Sequence, residues 1–334
     1  MKTASAASPT PRRLELHLSY ACGQRCAFCS ESLRMARWRR SPLKAEEVSA
    51  VLCERRRAGF DHVTFTGGEP TAHPLLPAAL LAARKLGFKT YLTTNGGLFA
   101  RKDYAREVLP LVDELCLSVH GPDAELHDAS TRTPGSFARA MKALENIERH
   151  IGRSGRIYLL ANTVVTRLNW ERLDETLSLL LSRAAIRHCL LSNVAPEGRA
   201  ARAYPVLAVP LSKWRARLPA LIRLFEGSGV VLRLFGLPLC VLGGRREFSN
   251  DAHFSPRATV ERRSLGGRPG LMGFLSRDAG RRRRRPAVCR SCAAREECAG
   301  VFDRYLDAFG DCELEPLLTS APAVAAQVRA EAKS

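Results

Sequence analysis

The chain has 334 residues, 46% of them hydrophobic and 25% charged, which suits one large globular domain with a smaller appendage. No stretch approaches eighteen apolar residues, and residues 1–13 lack the hydrophobic centre of a secretory signal, so we expect a cytoplasmic protein without a membrane partner. The net charge of +19 comes mainly from arginines spread along the chain, and we do not expect nucleic acid as a partner.

Residues 13–205 alternate short β-like segments with amphipathic helical ones, which is typical of βαβ units and a parallel sheet. The predicted strands are Leu14 to Ser19, His62 to Thr66, Lys89 to Thr93, Glu114 to Val119, Ile157 to Val165 and Arg187 to Asn193. After residue 205 come one helix and a strand-like run, and then a stretch rich in Gly and Arg, 243–286, with little periodicity. In a parallel array the loops after the strands build the active site.

Eleven cysteines, an odd number, favour metal or redox chemistry over a disulfide framework in a chain with no sign of export. Cys22, Cys26 and Cys29 form a C-x3-C-x2-C loop directly after the first predicted strand. Three thiolates can hold three irons of a 4Fe-4S cubane and leave the fourth iron open to another ligand. The alternative is a zinc loop, but structural zinc prefers four ligands and no fourth lies nearby in sequence.

This loop resembles the signature of the radical S-adenosylmethionine (SAM) superfamily, which has an aromatic residue before its last cysteine, here Phe28. The segments TGGEP, TTNG and SVHG, after the second, third and fourth strands, resemble further motifs of that family in the same order. Paired glycines allow a close approach of backbone to a ligand, and Glu69 offers a carboxylate to an ammonium group. The resemblance implies a set of cofactor-binding residues: Phe28, Gly67, Gly68, Glu69, Pro70, Thr94, Asn95, Ser118, Asn162 and Val194.

A second group of cysteines, Cys289, Cys292 and Cys298, has the spacing C-x2-C-x5-C and resembles the core of the SPASM and Twitch auxiliary-cluster domains. A full SPASM domain has seven cysteines, whereas only Cys240 and Cys312 remain here, so the resemblance implies one additional 4Fe-4S cluster. Cys240 is favoured over Cys312 as the fourth ligand because a proline and two glycines flank it in a tight loop. The alternative is a small zinc knuckle.

The resemblance implies an α/β fold, a partial (β/α)6 TIM-like barrel with a small C-terminal auxiliary-cluster domain. The predicted segments are a disordered tail over 1–12, the barrel over 13–205, a connecting helix and strand over 206–238, the auxiliary domain over 239–318 and a tail over 319–334. Arg281 to Arg285 precede the second cysteine group. A solvated, mobile loop is the preferred interpretation of this run, and a docking patch for an acidic peptide or nucleic acid is the alternative.

The activity that the resemblance implies is reductive cleavage of SAM at a 4Fe-4S cluster to a 5'-deoxyadenosyl radical, which abstracts hydrogen from a substrate. A one-electron reductant such as flavodoxin or ferredoxin would be a partner, and no catalytic side chain is assigned. Maturation of a ribosomally made peptide is preferred over small-molecule or cofactor biosynthesis because of the SPASM-like tail. A different class of function is a zinc-binding, nucleic-acid-binding protein.

Overall fold

The computed structural model describes residues 12–266 and 268–319. The predicted tails therefore lie outside the described residues, apart from residues 12 and 319. The strands are β1 Arg13–Ser19, β2 His62–Gly67, β3 Lys89–Thr94, β4 Glu114–Ser118, β5 Tyr158–Val165, β6 Ile186–Asn193, β7 Val231–Phe235, β8 Arg257–Leu265, β9 Arg268–Ser276, β10 Arg283–Arg284 and β11 Val301–Phe302.

The described helices are α1 Ser32–Trp38, α2 Ala45–Arg57, α3 Leu76–Lys85, α4 Lys102–Val108, α5 Ala124–Thr131, α6 Ser136–Ser154, α7 Leu173–Leu181, α8 Gly198–Arg202, α9 Tyr204–Leu207, α10 Leu211–Arg223 and α11 Asp303–Phe309. Ten of the described helices lie between the first seven strands, and α11 follows β11. Short 3-10 turns span Pro70–Ala72, Leu98–Ala100, Leu109–Leu111, Arg246–Phe248 and Ala287–Ser291. Among the described helices, none combines the length and the apolar character needed to cross a lipid bilayer.

One nine-stranded sheet forms the body of the protein, in the order β7-β6-β5-β4-β3-β2-β1-β8-β9. Its pairs are parallel except for β8 with β9, so β1 to β6 and the helices between them confirm the predicted α/β fold. Leu14, Leu16 and Leu18 alternate along β1 with polar residues and are fully buried in the hydrophobic core. The opposite face of the sheet lines a cavity of about 990 Å³.

The register across this inner face decides which side chains meet in the cavity. Ser118 pairs with Asn162, Asn162 with Leu190, and Leu190 with Arg233. Residues paired in a parallel sheet project from the same face, and all four line the cavity. Polar residues from β4, β5 and β7 therefore form one row across the inner face of the sheet.

The sheet has nine strands: the six predicted for the barrel, the connecting strand predicted within 206–238, which is β7, and two that were not predicted. β7 extends it beyond β6, and β8 and β9 occupy the stretch for which little regular structure is predicted, with β8 parallel to β1. Glu261 and Arg262 on β8 are buried because Tyr20 donates a 3.0 Å hydrogen bond to Glu261 and Arg262 pairs with Glu47 at 2.7 Å. Because charged residues occupy these buried positions, the sequence of β8 lacks the apolar pattern that predicts a buried strand.

The arginine run is anchored at Arg283, while the side chains of Arg281, Arg282 and Arg284 stay about half exposed. Arg283 is 1% exposed, pairs with the buried Asp251 at 2.5 Å, and lies against the rings of Phe235 and Phe302, with its guanidinium carbon 5.1 and 4.7 Å from their centres. Arg285 donates two hydrogen bonds, of 2.9 and 2.6 Å, to the carbonyl of Cys298. The run therefore fastens the second cysteine segment to the end of β7.

Candidate cofactor site and second cysteine cluster

The first cysteine loop joins β1 to α1 at the carboxyl end of the sheet. Cys22, Cys26 and Cys29 all line the large cavity and are free thiols. The loop is held by its backbone, because the amide of Ala27 donates to the carbonyl of Ser130 at 2.9 Å. The three thiols therefore project from an anchored loop into the cavity where the strands end.

A second anchor comes from α8, after the sixth strand. The side chain of Arg199 donates to the carbonyl of Arg25 at 2.7 Å, and its backbone amide donates to the carbonyl of Cys29 at 2.9 Å. Gly198 has a φ of +55°, and a β-carbon there would lie 2.3 Å from the carbonyl oxygen of Ser30. This contact was not predicted, because the Gly-Arg pair after β6 is its only local signal in the sequence.

The thiols have the donor chemistry that an iron-sulfur cluster requires. Burial raises the pKa of Cys22 to about 11 and that of Cys26 to about 12, so both hold their protons at neutral pH until a metal replaces them. The amide of Gln24 donates to the sulfur of Cys22 at 3.4 Å, a contact of the kind that tunes cluster potentials. Among the described residues, no three His, Cys, Asp or Glu side chains are arranged to share a single metal ion. In a cubane, each cysteine binds its own iron.

Glu69 is a buried carboxylate at the end of β2, facing the same cavity. Its Oε1 accepts hydrogen bonds from the amide and hydroxyl of Thr71 and the hydroxyl of Thr94, at 3.0, 2.6 and 2.7 Å, and its Oε2 accepts one from the amide of Asn95, at 2.8 Å. Burial raises its pKa, while these hydrogen bonds act in the opposite direction. Within the described residues it forms no salt bridge, so its charge fits a cationic ligand group.

The paired glycines serve a packing role. A β-carbon on Gly67, where φ is +125°, would lie 2.2 Å from the carbonyl oxygen of Ser19, and one on Gly68 would lie 2.4 Å from that of Ala21. The amides of Gly68 and Glu69 donate to those same carbonyls, both at 2.8 Å. The glycines thus allow the loop after β2 to dock on the start of the cysteine loop, which fixes Glu69 relative to the thiols.

Most of the other predicted cofactor residues also line the cavity. Asn95 connects two parts of the site, because its backbone contacts Glu69 and its side-chain amide lies 3.8 Å from the sulfur of Cys22. The Oδ1 of Asn162 accepts a 2.8 Å hydrogen bond from Ser192, which leaves its amide nitrogen without a partner among the described residues. Ser118 lies beside Asn162 in the same row.

Phe28 packs edge-on against His120, with ring centres 4.7 Å apart. Both residues line the cavity, and no role was predicted for His120 although it is part of the SVHG segment. The Nδ1 of His120 accepts from the amide of Val164, and burial lowers its pKa well below the ordinary value, so the ring is neutral. His120 therefore supports Phe28 at the wall of the site.

Two predicted residues lie behind the cavity wall. Pro70 is buried at the start of the turn after Glu69, and Val194 is fully buried in the hydrophobic core, its amide donating to Val165 at 3.3 Å. Neither residue lines the cavity. Their side chains therefore fit a packing role, and a cofactor contact by the backbone of Val194 stays a prediction.

The second cysteine group forms a separate cluster beside the end of β7. Cys240, Cys289, Cys292 and Cys298 line one small cavity. The sulfur of Cys298 accepts hydrogen bonds from the amides of Leu239 and Gly300, both at 3.4 Å. Cys312 is exposed and does not line this cavity. The structure thus brings together the four cysteines that the sequence analysis favours.

Comparisons with known proteins agree with this geometry. A family model described as the radical SAM superfamily matches residues 16–180. The AdoMet-dependent heme synthase of Oleidesulfovibrio alaskensis is 27% identical over 202 residues, which cover 60% of this chain and 50% of that protein. The PqqA peptide cyclase of Streptomyces rochei is 31% identical over 187 residues, covering 55% and 49%. The chain therefore spans about half the length of these curated relatives.

The fold is similar to that of SuiB from Streptococcus suis bound to S-adenosylmethionine. The TM-score is 0.54 at 20% identity, and the match covers 67% of this chain and 50% of that one. The matched family region contains the cysteine loop, the glycine pair with Glu69, and β4 and β5. Sequence motifs, sheet topology and these matches all agree, and the chain belongs to the radical SAM superfamily.

Proposed function

We propose that this chain is an enzyme that binds a 4Fe-4S cluster through Cys22, Cys26 and Cys29 and reductively cleaves SAM bound beside it. The observation that carries the proposal is the shared cavity: three thiols on one anchored loop face a buried carboxylate, Glu69, that forms no salt bridge within the described residues. The family to which the chain belongs uses this cluster and this cofactor.

The protein's own residues would bind and orient the cofactor. Glu69, held rigid by its four hydrogen bonds, would receive the ammonium group. The free amide nitrogen of Asn162, together with Ser118, would donate to the ribose or carboxylate oxygens. Phe28, supported by His120, would cover the cluster side of the site and limit water. The protein would thus contribute positioning and exclusion of competing reactions.

A reduced cluster held by Cys22, Cys26 and Cys29 would supply the one electron needed to cleave SAM to methionine and a 5'-deoxyadenosyl radical, and that radical would take a hydrogen atom from the substrate. That electron requires an external one-electron donor, and a flavodoxin or ferredoxin is our proposal for it.

A ribosomally made peptide is the proposed substrate. The relative named PqqA peptide cyclase and the solved complex of SuiB with its precursor peptide SuiA support a peptide substrate. The relatives named AdoMet-dependent heme synthase favour a second candidate, small-molecule or cofactor biosynthesis. The cavity of about 990 Å³ has room for part of a peptide or for a small molecule beside the cofactor.

The decisive test is anaerobic analysis of the purified, reconstituted chain. We expect iron and sulfide in equal amounts, little zinc, and formation of 5'-deoxyadenosine from SAM under dithionite. Stoichiometric zinc without sulfide, together with no cleavage of SAM, would instead support the zinc-binding, nucleic-acid-binding protein.

Glu69→Gln should weaken SAM binding and leave the iron content unchanged, because the carboxylate contacts no thiol among the described residues. Loss of one charge-assisted hydrogen bond costs about 1.5–3 kcal/mol, which is about 10- to 150-fold in affinity. Calorimetry with SAM measures this. Glu54→Gln on the surface of α2 is the matched control and should bind as wild type. Wild-type affinity in Glu69→Gln would show that another group receives the ammonium.

The second cysteine group is proposed to hold one further 4Fe-4S cluster. Cys240→Ala should remove up to one cluster's iron, because its thiol lines the same small cavity as the other three, whereas Cys312→Ala should keep full iron content. Iron and sulfide analysis in the background of the Cys22, Cys26 and Cys29 triple variant isolates this cluster. Iron loss in Cys312→Ala alone would assign Cys312 as the ligand.

A further inference from the structure

The end of the barrel cavity that lies toward the amino ends of the strands contains a positive charge with no ion-pair partner among the described residues. Arg233 projects from β7 into the cavity, and its described protein contact is a 3.2 Å hydrogen bond to the carbonyl of Leu232. No carboxylate in residues 12–266 or 268–319 forms an ion pair with it. Partial burial lowers its pKa, and the opposing effect of Glu247, on the turn after β7, is smaller. A buried charge without a partner is costly, which makes it a candidate ligand contact.

Neutral hydrogen-bonding groups surround this arginine. His188, on the neighbouring strand β6, lines the same cavity and has a buried Nε2 without a hydrogen-bond partner. Burial and the charge of Arg233 lower the pKa of His188 to about 4, so its ring is neutral. His253 reaches the cavity from the segment between β7 and β8, and Tyr158 packs edge-on against His188. The group presents donors and one full positive charge.

Two acids that line this end of the cavity are already paired, and Glu247, whose charge acts on Arg233, is exposed on the turn after β7 and does not line the cavity. Glu114 forms a 2.7 Å ion pair with Lys89, and Glu15 lies 3.5 Å from Arg257 and 3.1 Å from His17. Arg233 is therefore left to bind an anion from outside the chain. Tyr158, 41% exposed, lies near the amino ends of the strands, so the cavity reaches solvent there and a ligand can enter.

We infer that Arg233, assisted by His188 and His253, binds a carboxylate of the substrate. Arginine forms charge-assisted, bidentate hydrogen bonds to carboxylates, and a neutral imidazole can donate a further one. The register places Arg233 in the row of Ser118 and Asn162, so an anchored substrate would lie next to the proposed cofactor site. This inference rests on the proposed function and names its substrate class, a compound or peptide with an acidic group.

The test measures binding of small probes to the reconstituted full chain by ligand-observed NMR. The probes are N-acetyl-glutamate amide, its neutral glutamine counterpart and inorganic phosphate. We expect wild type to bind the glutamate probe at least about tenfold more tightly than the glutamine probe, and Arg233→Gln to lose that difference. Arg233→Lys should recover part of it, and the surface control Arg57→Gln should retain all of it.

The possible outcomes test binding of an anion at Arg233 separately from cleavage of SAM. Phosphate binding that exceeds that of glutamate and is lost in Arg233→Gln would support the site and identify phosphate as the preferred anion. Equal binding of the glutamate and glutamine probes to wild type would overturn the inference, and this comparison needs no variant to fold. The result is independent of SAM cleavage, because wild type that prefers the glutamate probe yet forms no 5'-deoxyadenosine would contradict only the proposed function.

Discussion

Replacement of Cys22, Cys26 and Cys29 together by Ala is expected to remove one 4Fe-4S cluster and reduce formation of 5'-deoxyadenosine to the uncatalysed background. The reason is that all three thiols project from one anchored loop into the cavity, and no electron can reach SAM without the cluster they would bind. The measurements are iron and sulfide per chain and chromatography of the products under dithionite.

The matched control for this variant removes Cys53 and Cys312, which line neither cavity. It should keep the iron, the sulfide and the SAM cleavage of wild type. The iron lost by the triple variant should correspond to a single cluster, because the second cysteine group is separate from the first. Continued production of 5'-deoxyadenosine by the triple variant would refute the assignment of the loop.

Arg283→Gln is expected to destabilise the protein by about 3–5 kcal/mol, because it leaves the buried carboxylate of Asp251 without its partner. The substitution also removes the guanidinium from between Phe235 and Phe302, which hold the second cysteine segment against β7. Chemical denaturation of the chain measures the loss of unfolding free energy.

Arg281→Gln is the matched control in the same run. Its side chain is 52% exposed and lies 3.9 Å from Glu197, so its replacement should change stability by less than about 1 kcal/mol. Asp251→Asn in the Arg283→Gln background should recover part of the loss, since no unpaired charge then stays buried. Equal, small effects of Arg281→Gln and Arg283→Gln would favour the solvated-loop interpretation instead.

The strands β1 to β6 could be predicted because their buried positions are apolar and their flanking helices have a clear period. β8 could not, since Glu261 and Arg262 occupy buried positions and are satisfied by Tyr20 and Glu47, which lie more than 200 residues earlier in the sequence. Arg283 was predicted to lie in a solvated loop for the same reason, because its partner Asp251 is distant in the sequence. A charged residue indicates an exposed position only when no residue distant in the sequence pairs with it in the folded protein.

The candidate site shows a similar division. The cysteine loop and Glu69 could be proposed from local motifs, since those residues follow strands and have a chemistry of their own. The contact of Arg199 with the loop could not be predicted. It joins residues some 174 positions apart, and its acceptors are backbone carbonyls, which every residue has and which therefore give no sequence signal. Val194 is a position implied by resemblance alone; its side chain lies in the hydrophobic core, and its cofactor contact stays a prediction.

The position of Cys240 determines how the proposed second cluster would stabilise the fold. Cys240 follows β7, at one edge of the parallel array, whereas Cys289, Cys292 and Cys298 come after the β8 and β9 hairpin, which lies at the other edge. A cluster bound to all four would cross-link a loop of about 50 residues that contains this hairpin. On the relation that holds for disulfides, such a closure restricts the unfolded chain by about 4 kcal/mol. Loss of that cross-link would lower the free energy of unfolding by a similar amount, while β8 would stay paired with β1 and held by the ion pair of Arg262 with Glu47.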